Sequence, residues 1–143
     1  MRGRRAAMHE KRIEIRWRDV DNYGHVNNAV YLTYLEEVRD EWLANTLRDD
    51  DAVWDYVIAR VEIDFRHEVR QADDEVVATC RLERIGTSSV RTREQVRTVA
   101  GRVAAEASAV LVARDREAGT SRRIAPAERA AFNRELEPAA AGD

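Results

Sequence analysis

The chain has 143 residues, 44% of them hydrophobic and 36% charged, with a net charge of −3 and a sequence pI near 5.7. That length suits one domain with a core large enough to fold without staples, and the charge balance excludes a global pull toward nucleic acid or membranes. Cys80 is the only cysteine, so no internal disulfide can form and a reducing compartment is expected.

The first eight residues, MRGRRAAM, are basic and predict a flexible N-terminus without the apolar stretch of a secretory signal. Cytoplasm is the expected location, because no apolar run of about 18 residues exists to span a membrane. From Glu10 the chain alternates, with Ile13, Ile15 and Trp17 on one face and Arg12, Glu14 and Arg16 on the other, which predicts a half-buried strand. A polar loop, DVDNYGHVNN at residues 19–28, comes next. From about Asn28 to Leu47 the period changes. Tyr31, Leu35, Val38 and Trp42 step by four, three and four, with Tyr34 and Leu43 beside them. That is an apolar stripe on one long helix, and Asn27 or Asn28 is a suitable N-cap.

Strand patterns follow. Val57, Ala59, Val61, Ile63 and Phe65 alternate with polar or outward residues, then Gln71–Asp74 reads as a turn. Val76, Ala78, Cys80 and Leu82 alternate again, and Gly86–Ser88 is a turn. Ser89 to Thr98 places Val90, Thr92 and Val96 on one face, with Glu94 in the same register. Gly101 marks a tight turn before Val103–Ala113, whose inward set is Val103, Ala105, Ala107, Ala109 and Leu111. These small alanines predict close packing of the long helix on that face. Short turns predict antiparallel neighbours, and one sheet with one buried helix is an α+β layer. The expected domain spans residues 9–114. Residues 115–143 read as a polar tail in which Pro126 starts a short helix anchored by Ala130 and Phe132, ending in a disordered PAAAGD.

The loop carries the chemistry. Turns and caps explain one or two of its Asp, Asn and Gly residues. Asp21, however, lies about seven residues before a helix whose first N–H groups attract developing negative charge. A carboxylate facing such a helix start suits acyl transfer.

The stretch DVDNYGHVNNAVYLTYLEEVR resembles the signature of the hotdog-fold acyl-CoA thioesterases of the 4-hydroxybenzoyl-CoA thioesterase type, and its HVNN portion is also similar to the plant acyl-acyl-carrier-protein thioesterases. The element order is consistent with that resemblance over residues 9–114. It implies a five-stranded antiparallel sheet wrapped around one long helix, and hydrolysis of an acyl-CoA thioester. It places the catalytic carboxylate on Asp21, as nucleophile or general base, and the oxyanion amides around Asn27 and Asn28. Asp19 is expected to support the loop or bind Arg18. His25 either takes part in catalysis or bonds the loop and lines the pocket, since the plant pattern has Asn where this chain has Tyr23. Tyr23, Gly24, Val26, Tyr31, Tyr34 and Leu35 are the expected substrate-binding set. Gly86, Thr87, Ser88, Ser89 and Arg91 are the expected contacts to CoA.

Glu36 and Arg39 are spaced to pair on the helix. Glu94 faces inward toward a cleft or partner subunit unless a bulge turns it out. No cofactor and no metal is expected, because the three histidines lack HxH or HExxH spacing. GxSxG, GxGxxG and P-loop motifs are missing too. The expected partners are the acyl-CoA substrate, or an acyl-carrier protein, and further copies in a homodimer or homotetramer that covers the open sheet edge. The alternative is a non-catalytic acyl-CoA binder acting as sensor or scaffold. A hotdog hydratase would need a different loop pattern.

Overall fold

The computed structural model describes residues 8–136. The expectations of a flexible start and a disordered end therefore fall outside the described residues, except that Met8 belongs to the first strand. The elements are β1 (Met8–Glu14), α1 (Asn28–Leu47), β2 (Tyr56–Phe65), β3 (Glu75–Ile85), β4 (Ser89–Thr98), β5 (Val103–Asp115), a two-residue β6 (Thr120–Ser121) and α2 (Pro126–Leu136). A curled antiparallel sheet in the order β1-β3-β4-β5-β2 wraps around α1, which is the hotdog arrangement.

The helix forms where its stripe predicts. Asn27 caps it by accepting the Ala29 N–H at 2.9 Å, and Tyr31, Tyr34, Leu35, Val38, Trp42 and Leu43 are all buried. Arg48 ends it in the left-handed region at φ 55°, with the Asp49 N–H returning to the Ala44 carbonyl at 3.0 Å. α1 lies chiefly over β3, flanked by β1 and β4. Phe132 on α2 stacks on Trp42, 6.0 Å between ring centroids, and meets Tyr56 edge-on at 5.9 Å.

Several local expectations need correction. Trp17 is 86% exposed, because the strand ends early. Asp19 accepts the Arg16 N–H at 2.9 Å and turns Trp17–Asp19 into a 3-10 turn. In β2 the register shifts between Ile58 and Arg60. The bulge at Ala59 puts Tyr56 and Ile58, opposite Ala113 and Leu111, on the face that carries Val61 and Ile63 further along. Val57 and Ala59 therefore leave the inward set. Finally, β2 and β3 are not neighbours. β2 pairs with β5 at the far edge of the sheet while β3 pairs with β1 and β4, so residues 66–74 form a crossover rather than a hairpin turn. That crossover passes the start of α1, and it shapes the site.

Glu94 does face inward. Arg39 meets it with two bonds of 2.8 Å, so the expected Glu36–Arg39 pair is not formed and Glu36 is exposed. Thr92 Oγ1 donates to the same carboxylate at 2.6 Å. Burial works against the guanidinium's charge, and Glu94 more than offsets it, leaving Arg39 above its ordinary value. Burial pushes the neighbouring Cys80 thiol up.

Candidate active site at the start of the long helix

Residues 19–27 form a small closed loop. The Asp21 N–H donates to the His25 carbonyl at 2.8 Å, the Gly24 N–H to the Asp21 carbonyl at 3.0 Å and the Asn27 N–H to the Asp19 carbonyl at 2.9 Å. Gly24 sits at φ 80°, a conformation that a side chain would strain. Asp19 anchors the loop from beneath. Its buried carboxylate accepts the Tyr34 hydroxyl at 2.7 Å as well as the Arg16 N–H. Support of the loop is thus its observed part, and Tyr34 and Arg16 are its partners, not Arg18. Burial and the Asp19 charge raise Tyr34 well above a phenol's usual value.

Asp21 stands above this anchor. One oxygen, Oδ1, accepts the N–H groups of Tyr23 at 2.9 Å and His25 at 3.2 Å, which leaves Oδ2 for a ligand. The carboxylate borders a cavity of about 250 Å³ shared with His25, Val26, Asn28, Tyr31, Phe65, Arg66, His67 and Glu68. Asn28 occupies the first helical position, where an N–H has no intrahelical acceptor, and the positive end of the helix dipole faces this cavity. The Asn27 amide, by contrast, is already used by Asp19, and its side chain is used in capping.

Asp21, His25, Val26, Asn28 and Tyr31 thus come together around one cavity. Tyr31 is buried, its ring edge-on to Phe65 at 5.3 Å and its hydroxyl 3.4 Å from the His67 carbonyl. Burial raises its phenol. Tyr34 and Leu35 are fully buried and do not line the cavity, and Tyr23 is 83% exposed. The Gly86–Ser89 turn lies elsewhere in the chain. Ser89 begins β4, whereas Val96, seven residues on, pairs with Ala105, itself opposite the cavity residue Phe65. At strand rise that separation is roughly 23 Å. The turn's carbonyls are also engaged: Thr87 accepts the Ile124 N–H at 3.0 Å, and Gly86 accepts Arg129 at 2.8 Å. Arg91 shares the outer face of β4 with Arg93.

Reading the sequence alone misses Arg66, His67 and Glu68. They carry no motif and reach the cavity only because β2 and β3 are joined by a crossover. Among the described residues, no group of three or more His, Cys, Asp or Glu side chains is arranged to hold a metal ion, and no helix is long and apolar enough to cross a membrane.

A family model described as Thioesterase-like superfamily matches residues 15–136. Solved structures agree. A thioesterase from Thermus thermophilus, in complex with coenzyme A and zinc, superposes with a TM-score of 0.81 at 31% identity, covering 90% of this chain and 93% of that one. The structure of a predicted thioesterase from Bacillus stearothermophilus gives 0.83 at 26% identity, covering 92% and 98%. A 1,4-dihydroxy-2-naphthoyl-CoA thioesterase from Synechocystis shares the fold, with a TM-score of 0.74 at 14% identity over 89% and 96%. No curated protein matches the chain.

Proposed function

Because the chain belongs to the thioesterase-like superfamily, we propose that it hydrolyses an acyl-CoA thioester in the cavity before α1. The observation that carries this reading is that Asp21, with one oxygen held by two amides and the other open, shares that cavity with the free amide of the helix start. The thioester carbonyl oxygen lies at the Asn28 N–H, where the helix dipole stabilises the charge that develops on it. One such donor is worth roughly 10²–10³ in rate. Asp21 then attacks the carbonyl carbon or takes the proton of the water that does. The C–S bond breaks with its electron pair on sulfur. Tyr31 and Val26 supply apolar wall for the acyl group, and Tyr34 acts through Asp19 by holding the loop.

Residues 86–89 are too far from Asp21 to serve the same protomer's cavity directly. In this reading they meet the CoA of a second copy, in a dimer that covers β2. That edge strand leaves one side unpaired in the protomer and exposes Val57, Ile58 and Phe65. The superfamily relative bound to coenzyme A supports CoA as the carrier. Asp21→Asn is the test. Thiol release from a panel of acyl-CoA esters should fall by about 10²–10⁴-fold, while binding of a non-hydrolysable acyl-CoA analogue persists. Binding without thiol release, from the wild type as from the variant, sinks the enzyme reading and leaves an acyl-CoA-binding sensor or scaffold.

A further inference from the structure

The β2–β3 crossover brings a second carboxylate to the cavity. Glu68 Oε2 lies 2.9 Å from His25 Nε2. Its other oxygen, Oε1, accepts Arg70 Nη2 at 2.6 Å, so the carboxylate is fixed from both sides. The backbone locks the same arrangement. His25 and Arg70 form an antiparallel bridge, and the Val26 N–H donates to the Val69 carbonyl at 2.7 Å. His25 thus meets two carboxylates of different duty: Asp21 on its own loop accepts the main-chain N–H at 3.2 Å, and Glu68 on the crossover takes the ring. The remaining titratable or charged groups around it are Arg70, and, across the cavity, His67, Arg66 and Tyr31.

We propose that Glu68 is a positioning residue that makes His25 the proton donor to the departing thiolate. The inference rests on the thioesterase reading and deepens it. With Nε2–H donating to Glu68, the ring nitrogen left for the substrate is Nδ1. In the imidazolium form of the ring, Nδ1 also carries a proton while Nε2 stays on Glu68. Whichever way Asp21 acts, the C–S bond breaks and its electron pair goes to sulfur. That sulfur then takes the Nδ1 proton. An imidazolium is a stronger acid than a thiol, so the transfer runs downhill. His25 recovers a proton from the one that the attacking water gives up, and the cycle closes with one acid and one thiol formed. The layout is the triad logic of a proton-transfer base oriented by a third group, here built from two segments that only the crossover joins.

The test compares leaving groups. The same acyl group is presented on CoA, whose thiolate is basic and gains from protonation, and on an aryl thiol, whose thiolate leaves without it. Wild type, Glu68→Gln, His25→Gln and the double variant are assayed on both esters. The expected result is a loss of kcat in Glu68→Gln of about tenfold or more on the CoA ester, at least about fivefold larger than its loss on the aryl ester, with little change in KM. The double variant should be no slower than His25→Gln, because the two residues act as one unit. Equal losses on both esters, additive losses in the double variant, or no loss at all would overturn the assignment while leaving the thioesterase reading intact. A wild type that releases thiol from neither ester overturns both.

Discussion

Arg39–Glu94 and His25–Glu68 both tie α1 or the segment before it to a distant part of the chain, and they differ in kind. Arg39–Glu94 joins the middle of the helix to β4 with side chains 5% and 0% exposed. His25–Glu68 joins the active-site loop to the crossover with side chains 31% and 48% exposed. The buried pair can neither be hydrated nor exchange its partner, so it acts as a commitment of the fold. Its value lies in the penalty for breaking it, not in net stabilisation. The exposed pair is adjustable. Solvent screens it, its loss costs the fold little, and one partner can give up a proton during a reaction.

The largest effect that tests this contrast comes from breaking the buried pair. Arg39→Met leaves the buried Glu94 carboxylate without its partner, and should cost about 3–5 kcal/mol in chemical denaturation. Replacing both, Arg39→Met with Glu94→Leu, should recover most of that loss. If the double variant is as unstable as the single one, the pair is more than a mutual neutralisation. Next in size is Tyr34→Phe. It removes the hydroxyl from the buried Asp19 carboxylate, at about 1–3 kcal/mol, and should lower kcat more than KM by loosening the loop under Asp21. A kcat unchanged from wild type would separate the anchor from the chemistry.

The smallest effect concerns a third, half-buried carboxylate. Glu41 is held below its ordinary value of 4.5 by Lys11 first and His9 second. A depressed carboxylate contributes stability above its unfolded value, and that contribution is lost as pH falls through the lower folded one. The stability gap between wild type and Glu41→Gln should therefore be small at pH 7, shrink below about pH 4.5 and vanish at lower pH, as read by denaturation at a series of pH values. A gap that persists in strong acid would mean the side chain matters for packing instead of charge.

Much of this was legible along the chain. The stripe from Tyr31 to Leu43 and the Asn27 cap delimit α1, and the alternations of β3, β4 and β5 identify their inward faces. The Asp21 loop is recognisable because so many polar residues precede so apolar a helix. What stayed hidden has a common origin. Trp17 continues the β1 alternation on paper, yet the Asp19 carboxylate ends the strand before it. The β2 pattern is unbroken in the sequence, yet a bulge at Ala59 reverses its phase. Glu36 stands at helical spacing from Arg39, but the guanidinium is drawn across to Glu94 on a strand 55 positions later.

Residue order by itself settled what is local: the period of each element, its buried side, the caps, and the carboxylate placed before a helix dipole. These follow from backbone geometry and from the loss of apolar surface to water, which act over a few neighbouring residues. Tertiary structure alone decided adjacency: that β2 lies beside β5 and not β3, that residues 66–74 therefore cross the helix start, and that Glu68 reaches His25. Those outcomes depend on how the whole sheet closes around α1, a condition that no short stretch of chain contains.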